Sequence, residues 1–416
     1  MSDPTDRRAA LTRDILILSN YYHPEPTGSA PPITDLSVWL AEQGLEPSVL
    51  TARPSYPRAA VYEGYASGEL DIETWHGVSV RRVASIVPRT RGLVGRLIAE
   101  TSFAAAALLT RRRGFAGVVC VCPSVFAVLA APAFRKRGGR LVAIVHDIQS
   151  GLASSLQFGG AAKALMKGLQ HLEAWALNRC DTVICLSEAM GGELRAIGVT
   201  APIKVIPPQV NIREIMPTAP EEAKAGLVLY SGNLGRKQGL DQVLGLAAEL
   251  LRRRSGAKIL IRGEGSERAA LEQQASAEGL SNVAFADLAP RQDISAALGE
   301  AALHLVPQAP GGANFALPSK IFSIMAAQRP FVATAAPSTP LDDLCRRSGG
   351  GLCVEPMDAG VLADAVESLL ADPARGRNLG EAGRRYVETE VDREIVCKNI
   401  LETLYAVSSL DSAATA

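Results

Sequence analysis

The chain has 416 residues, enough for two domains of about 150–200 residues, and its 47% hydrophobic and 21% charged residues exclude a disordered or fibrous protein. Its 43 basic residues balance its 43 acidic residues, which disfavours a general nucleic-acid binder. Seven cysteines without zinc-like spacing indicate a reducing compartment. Residues 1–13 lack the apolar core of a secretory signal, and the longest apolar segment, 97–109, is shorter than the roughly 20 residues that cross a bilayer. The sequence therefore predicts a cytoplasmic protein.

Short apolar runs alternate with longer helical patterns over the first half of the chain. The predicted strands are residues 14–19, 47–51, 78–83, 117–122, 141–146, 182–187 and 204–206. The predicted helices between them include residues 33–43, 161–178 and 188–197. Such alternation predicts a parallel sheet covered by helices.

The pattern stops near Pro207 and Pro208 and starts again after residues 216–224. The predicted strands of the second half are residues 227–231, 258–262, 283–286, 303–307, 330–334 and 351–354. The predicted helices are residues 240–254, 267–278, 291–298, 320–328 and 359–371, followed by a long amphipathic stretch at 375–404. A second parallel sheet is therefore expected.

The fold class predicted from these patterns is α/β, with two doubly wound, Rossmann-like domains facing across a cleft. The predicted boundaries are a disordered tail at 1–13, a first domain at 14–212, a linker at 213–224, a second domain at 225–374, a helix at 375–405 that crosses back to the first domain, and a tail at 406–416. Ligands of such sheets bind beyond the carboxyl ends of the strands, so strand-to-helix loops are the expected sites.

The loop after the first predicted strand ends in Thr27, Gly28 and Ser29, directly before a helix. Gly28 would let backbone N–H groups approach a phosphate or sugar oxygen at the positive end of that helix. An ordinary long loop with a glycine turn remains an equal alternative.

The second domain opens with a glycine-rich loop that contains Gly232, Asn233, Arg236 and Lys237. Glycines remove side-chain bulk, amides donate hydrogen bonds and the two cations supply charge, a combination that suits a dianionic phosphate. The spacing is not that of a P-loop. The alternative is a solvated basic turn.

Two further loops of the second domain carry weaker signals. Gly263 and Glu264 follow an apolar strand, but Arg268 occupies the place of the third glycine of a dinucleotide fingerprint, which disfavours a nicotinamide cofactor. Ser319 is a predicted N-cap, and the free amides behind it with Lys320 would form an anion site. A tight turn and a purely structural cap are the respective alternatives.

In the first domain, His146 and Asp147 stand where a predicted strand ends. An imidazole beside a carboxylate could steer a hydroxyl group or stabilise a developing positive charge. A lone histidine at a strand end is more often structural, and that alternative stays open.

Taken together, these loops resemble glycosyltransferase family 4, a family of retaining enzymes with the GT-B fold. The likeness covers about residues 14–405 and is greatest to the exopolysaccharide branch typified by the colanic acid fucosyltransferase. It is carried by residues 229–235 with 237–240, by residues 317–320 and by residues 186–190.

The resemblance implies a nucleotide-diphosphate sugar as donor, no metal and no cofactor. It implies that the diphosphate is bound by Gly232, Asn233, Arg236, Lys237, Ser319 and Lys320, and the nucleoside by Gly263, Glu264 and Ser323. It further implies an acceptor near Thr27, Gly28 and Ser29, with His146 and Asp147 as the catalytic pair.

This sequence departs from the family pattern in two places. Asn233 stands where many members have arginine, and Phe315 and Ser323 stand where many have a pair of glutamates. Glu264 is the candidate to supply the missing carboxylate, and Lys237 precedes the usual lysine place by one residue. These departures affect the individual site residues more than the class.

Basic residues flank the apolar segment 97–109 and recur beyond it: Arg89, Arg91, Arg96, Arg111, Arg112, Arg113, Arg135, Lys136, Arg137 and Arg140. Each cation near an anionic leaflet contributes about 1 kcal/mol, so the pattern predicts a peripheral position on the inner face of the cytoplasmic membrane. A polyprenyl-linked acceptor would explain such a face. The alternative is a buried helix capped by solvated arginines.

Two rival functions remain. The first is a nucleotide-sugar epimerase of the same fold, which would need no acceptor; the sequence offers no convincing pair of carboxylates for it. The second is a non-catalytic GT-B-like scaffold, suggested by the serine at position 323.

Overall fold

A computed structural model describes residues 14–26, 28–56, 60–88, 93–111, 113–148, 160–235, 238–309 and 317–405. The chain forms two compact units. The first contains the chain up to Pro207 together with the residues from Val396 onward, and the second is Pro208–Ile395. The tails predicted at 1–13 and 406–416 lie outside the described residues.

The first unit is built on an eight-stranded sheet in the order β3-β4-β2-β1-β5-β6-β7-β8. Its strands are β1 (Asp14–Leu18), β2 (Glu46–Ala52), β3 (Ile72–Trp75), β4 (Val78–Val83), β5 (Phe115–Cys122), β6 (Arg135–Val145), β7 (Thr182–Cys185) and β8 (Ile203–Val205). Only β3, which was not predicted, runs antiparallel to its neighbour. The helices are α1 (Ala30–Glu42), α2 (Leu93–Leu109), α3 (Val125–Ala130), α4 (Gly160–Leu177) and α5 (Glu188–Ala196).

The second unit is built on a six-stranded parallel sheet in the order β11-β10-β9-β12-β13-β14. Its strands are β9 (Lys224–Ser231), β10 (Lys258–Arg262), β11 (Val283–Ala286), β12 (Ala301–Pro307), β13 (Phe331–Thr334) and β14 (Gly351–Val354). Its helices are α6 (Asp241–Arg252), α7 (Arg268–Ala277), α8 (Ile294–Gly299), α9 (Lys320–Ala326), α10 (Pro340–Ser348), α11 (Ala359–Ala371) and α12 (Pro373–Tyr386). The predicted α/β class with two doubly wound parallel sheets is confirmed.

The central strands are almost wholly apolar because a parallel sheet with helical crossovers is buried on both faces. In β5, seven of the eight residues are buried. Cys120 and Cys122 belong to this run and are buried free thiols.

The order of the strands reverses once in each sheet. In the second unit the chain moves outward from β9 to β11 and then returns to β12 on the other side of β9. In the first unit the same reversal separates β1 from β5. Loops diverge above such a switch point and leave a crevice at the carboxyl ends of the two strands, which is where open α/β sheets bind ligands.

The predicted single helix at 375–405 is corrected to two helices. The first, α12, ends in a π-helical turn at Val387–Val391, and a new helix, α13 (Arg393–Tyr405), follows. Asp392 between them is extended and pairs with Val210, which exchanges backbone hydrogen bonds with Val391 and Arg393. This bridge uses the Val391 carbonyl and the Arg393 N–H group, which would otherwise form hydrogen bonds within a continuous helix.

Candidate functional site

On one side of the crevice at the switch point of the second unit, the loops that follow β9 and β10 approach each other too closely for side chains. Gly232 has a φ of 144° and Gly263 a φ of 158°. A Cβ on Gly263 would lie 1.9 Å from the Gly232 carbonyl oxygen. Backbone hydrogen bonds then join the loops, from Gly232 N to Arg262 O at 2.9 Å and from Leu234 N to Glu264 O at 2.8 Å. The glycines recognised in the sequence therefore set the shape of the crevice.

Lys320, which is half-buried, directs its ammonium group into the same crevice. Its Nζ lies 2.6 Å from the Tyr230 hydroxyl oxygen, 3.3 Å from Gln238 Oε1 and 3.8 Å from the centre of the Tyr230 ring. Within the described part of the chain, no carboxylate is paired with this ammonium group. Burial lowers the pKa of Lys320 to about 7. A buried ammonium group without a counter-charge is costly, and an anionic ligand offsets that cost.

Two neighbours fix the position of this ammonium group. Tyr230 is fully buried, and its hydroxyl donates to Asn233 O at 2.7 Å while it accepts from Lys320. A Cβ on Gly232 would lie only 3.1 Å from Lys320 Nζ. Sequence reasoning missed Tyr230 and Gln238 as supports of the lysine; the one signal was a tyrosine that ends an apolar strand just before the glycines.

Of the other residues predicted to bind the diphosphate, some lie outside the described chain. Arg236 and Lys237 lie outside the described residues. Ser319 precedes α9 as predicted, but its exposed side chain caps no backbone N–H, so the expected capping bond is corrected. Its backbone is helical, with φ at −59° and ψ at −25°, rather than extended as at a capping serine.

The predicted nucleoside residues lie in two places of the second unit. Gly263 and Glu264 follow β10, and Ser323 lies half-buried on α9, while Phe315 is outside the described residues. Arg268 forms ion pairs with Glu264, with Asp287 at 2.6 Å and with Glu272 at 2.9 Å. The carboxylate of Glu264 is thus already engaged by an arginine.

In the first unit, His146 and Asp147 directly follow β6. Burial lowers the pKa of His146 to about 4, so its ring is neutral near pH 7. Among the described residues, its Nε2 has no hydrogen-bond partner, whereas its backbone N–H donates to Cys122 O at 3.1 Å. A neutral imidazole can donate to or accept from a hydroxyl group.

The loop after β1 is shaped by a buried carboxylate that sequence reasoning missed. Glu25 accepts hydrogen bonds from the backbone N–H groups of Ser55 at 2.9 Å, Tyr56 at 2.8 Å and Tyr22 at 3.3 Å. Burial nevertheless raises its pKa. The sequence pattern did not indicate that a glutamate side chain would hold this loop in place by accepting backbone hydrogen bonds.

Beyond this carboxylate the loop enters α1. Gly28 has a φ of 71°, and a Cβ there would meet no atom of the described residues within 4 Å. Ser29 is buried at the start of α1 and makes no side-chain capping bond. Thr27 lies outside the described residues.

Comparison with known families defines the class of protein. The glycosyl transferase 4-like domain family matches residues 27–209, and the glycosyl transferases group 1 family matches residues 211–386. The chain belongs to glycosyltransferase family 4, and its fold is the GT-B fold of that family. These matches favour sugar transfer over both the epimerase and the non-catalytic scaffold.

Individual relatives agree with this class. The chain is 30% identical over 413 residues to the colanic acid biosynthesis glycosyl transferase WcaI of Escherichia coli K12, covering 94% of this chain and 99% of the relative. A GDP-mannose-dependent mannosyltransferase of Corynebacterium glutamicum, which acts on a monoacylated phosphatidylinositol mannoside, is 22% identical over 61% of this chain and 72% of its own.

Solved structures share the fold. Sucrose-phosphate synthase of Thermosynechococcus elongatus superimposes with a TM-score of 0.75 at 18% identity and covers 96% of this chain and 100% of its own. Anabaena HepE in complex with UDP-glucose gives a TM-score of 0.69 at 16% identity over 95% of this chain and 100% of its own.

Proposed function

We propose that this enzyme transfers a sugar, with retention, from a nucleotide-diphosphate sugar to a lipid-linked acceptor in the synthesis of a bacterial exopolysaccharide or cell-surface glycan. The likeness to a colanic acid enzyme supports the exopolysaccharide, and the likeness to a mannosyltransferase of a phosphatidylinositol glycolipid supports the lipid. The HepE complex with UDP-glucose supports a nucleotide sugar as donor.

The main observation in support of this donor is the position of the Lys320 ammonium group. It stands beside Gly232 at the switch point, held by Tyr230 and without a carboxylate partner in the described chain. A diphosphate would supply the missing negative charge and accept hydrogen bonds from the ammonium group and from loop amides. Lys320 would then stabilise the charge that develops on the leaving diphosphate as the glycosidic bond breaks. Asn233, Arg236, Lys237 and Ser319 complete the proposed diphosphate site.

For the nucleoside we retain Gly263, Glu264 and Ser323. Gly263 lets the loop after β10 meet the loop after β9, and we propose that the Ser323 hydroxyl takes the place of the carboxylate that many family members have at that position. A ribose hydroxyl would have to share Glu264 with Arg268. In the first unit, His146 and Asp147 remain the proposed catalytic pair, and Thr27, Gly28 and Ser29 the acceptor loop. We propose that neither a metal nor a cofactor takes part.

Transfer is tested by incubating the full-length protein with bacterial membranes and radiolabelled UDP-, GDP- and dTDP-sugars. One donor is expected to pass its label into a lipid-soluble product. Donor alone, without membranes, should be neither epimerised nor consumed at a comparable rate. No lipid-soluble label from any donor, or epimerisation without membranes, would refute the proposal.

The proposed membrane surface is one face of α2. Val94, Ile98, Thr101, Ala105 and Leu108 are all exposed and recur at helical spacing, so this face has no charged side chain. Leu109 at the end of the helix is 88% exposed. No helix in the described ranges is long and apolar enough to cross a bilayer. An exposed apolar helix face suits insertion into the headgroup region of a membrane.

The predicted basic residues around α2 are partly neutralised. Arg96 pairs with Glu100 at 3.0 Å and Arg135 with Asp181 at 3.2 Å, whereas Arg113 and Lys136 share the single carboxylate of Asp14. Arg89, Arg91 and Arg112 lie outside the described residues. Arg111 and the exposed Arg137 retain their charge toward solvent without a described ion pair. The proposed attraction to anionic lipid therefore depends on fewer cations than the sequence suggested. Burial of the apolar face then contributes a larger share of the proposed membrane binding.

Flotation with anionic liposomes tests this surface. Burial of one isoleucine or leucine side chain contributes about 1.5–3 kcal/mol, so the double variant Ile98→Asp, Leu109→Asp is expected to lower the liposome-bound fraction at least about tenfold. Ile72→Asp is the matched control, because Ile72 is 67% exposed on β3, and it should float like the wild type. Equal flotation of the double variant and the control would remove the membrane surface from the proposal.

The pH dependence of nucleotide binding tests the role of Lys320. Because the pKa of Lys320 lies near 7 in the unliganded protein, the lysine loses its proton as pH rises above 7, and a diphosphate must restore it. The Kd of the nucleoside diphosphate of the active donor, measured by calorimetry, is expected to weaken about tenfold from pH 8 to pH 9. Lys320→Ala should abolish this dependence. A Kd that stays constant over the same range in the wild type contradicts the assignment.

A further inference from the structure

The first unit has its own switch point, between β1 and β5, and polar residues gather there. Asn20 lies two residues beyond β1, Ser124 two residues beyond β5, and His146 directly beyond the adjacent strand β6. In the register of the sheet, Leu18 pairs with Cys120, and Cys122 pairs with Val145. The three polar residues therefore leave the sheet at nearly the same level of one edge.

Each of these residues has a buried polar atom without a hydrogen-bond partner among the described residues. The atoms are Asn20 Oδ1, Ser124 Oγ and His146 Nε2. Asn20 is 8% exposed and Ser124 is 4% exposed. An unsatisfied buried polar atom costs about 1–3 kcal/mol, and folded proteins retain few of them. Three such atoms at one switch point indicate polar groups that form hydrogen bonds with a ligand.

The local structure explains why Asn20 Oδ1 and Ser124 Oγ have no partner in the described part of the chain. Ser124 stands at the N-cap of α3, where a serine oxygen usually accepts from a backbone N–H of the first turn, but it makes no such bond. The side chain of Asn20 is hydrogen-bonded to the Tyr21 hydroxyl, which leaves Oδ1 for another donor. His146, Asp147 and Tyr21 are only half-buried, so the rim beside these atoms is open to solvent.

The chemistry of this edge favours an uncharged ligand rich in hydroxyl groups. Asn20 Oδ1 accepts hydrogen bonds, and Ser124 Oγ and the neutral imidazole of His146 either donate or accept. Two carboxylates lie near this edge: Glu173 Oε1 is 3.8 Å from Cys122 Sγ, and Asp147 directly follows His146, whereas Glu100 is paired with Arg96 at 3.0 Å. A phosphate or a uronate would be repelled, whereas a sugar ring offers matching hydroxyl groups without charge.

We propose that the β1–β5 switch point binds a neutral, hydroxyl-bearing ring of the acceptor, with Asn20 Oδ1 and Ser124 Oγ as hydrogen-bonding contacts. The proposal rests on the proposed sugar transfer and adds two specificity-determining residues and the charge class of the acceptor ring. The two units then divide their ligands by charge: the second binds the anionic diphosphate, and the first binds the uncharged ring.

Steady-state kinetics with the full-length protein, its active nucleotide sugar and a bacterial membrane lipid extract test the contacts. Ser124→Ala and Asn20→Ala are each expected to raise the KM for the extract about tenfold, the effect of about 1.4 kcal/mol, and to change the KM for the nucleotide sugar less than twofold. Because the Ser124 hydroxyl has no partner among the described residues, Ser124→Ala should leave the thermal midpoint unchanged or higher.

The matched control is Ser348→Ala in the second unit. Ser348 is 6% exposed, its hydroxyl donates to Cys345 O and accepts from Gly350 N, and its loss should lower the midpoint without changing the KM for the extract. If the wild type is active and the KM for the extract is the same in both site variants, the subsite is wrong although the transferase proposal stands. A wild type inactive with every donor overturns both.

Saturation-transfer NMR tests the charge class. D-glucose, D-galactose or D-mannose should give a signal with the wild type that weakens in Ser124→Ala and Asn20→Ala, and D-glucuronate should give none. A glucuronate signal as strong as that of the neutral hexoses, or hexose signals unaffected by both substitutions, overturns the proposal.

Discussion

Replacement of Lys320 by alanine is expected to lower kcat/KM for the nucleotide sugar by about 10²–10³-fold, the usual effect of removing one preorganised donor from a developing negative charge. The ammonium group is held on Tyr230 at 2.6 Å before any ligand arrives, so little reorganisation is needed when the diphosphate leaves. The thermal midpoint should not fall, since the substitution removes a half-buried, poorly solvated cation that has no described counter-charge.

Two further variants make this measurement specific. Lys258→Ala removes an exposed lysine of β10 and is the matched control, with activity within twofold of the wild type expected. Tyr230→Phe keeps the ring but removes the hydroxyl that positions Lys320, so a smaller loss, about tenfold, is expected. Should Lys320→Ala retain full activity, the diphosphate site would have to be assigned elsewhere.

Gly263→Ala is expected to destabilise the second unit by at least about 3 kcal/mol. The added Cβ would lie 1.9 Å from Gly232 O, and alanine rarely adopts a φ of 158°. The two loops must then separate and lose the hydrogen bonds from Gly232 N and Leu234 N. A fall in thermal midpoint of roughly 6–12 °C is expected for this unit by calorimetry, with loss of nucleotide binding because Gly232 moves away from Lys320.

Gly256→Ala is the control for this substitution. It lies in the same unit, before β10, where a Cβ meets no atom within 4 Å and φ is not in the left-handed region. Its midpoint should equal or slightly exceed that of the wild type, since alanine restricts the unfolded chain. A Gly263→Ala protein as stable as the Gly256→Ala protein would show that the close approach of the two loops is not required.

The sequence was sufficient for the architecture because the signal for a parallel sheet is local. A continuous apolar run such as β5 can be recognised without knowledge of its partner strands, and the helical patterns between such runs require crossovers. The predicted secondary structure differs from the observed one where a contact between residues distant in the chain determines the local conformation. Asp392 breaks the predicted terminal helix only because Val210, far away in the chain, pairs with it. The edge strand β3 is only four residues long, has two polar residues between Ile72 and Trp75 and is not buried, so no apolar run predicted it.

For the site, the sequence by itself determined the glycine loops and Lys320, because the lack of a side chain and the presence of a charge are properties of a residue type. Only the tertiary structure decided what surrounds them. Tyr230 and Lys320 are 90 positions apart and meet because β9 and β12 are neighbours at the switch point. The same folding leaves Asn20, Ser124 and His146 with buried polar atoms at one sheet edge, and brings Asp287 to Arg268. Burial, partners and pKa shifts depend on residues distant in the chain, which local pattern does not encode.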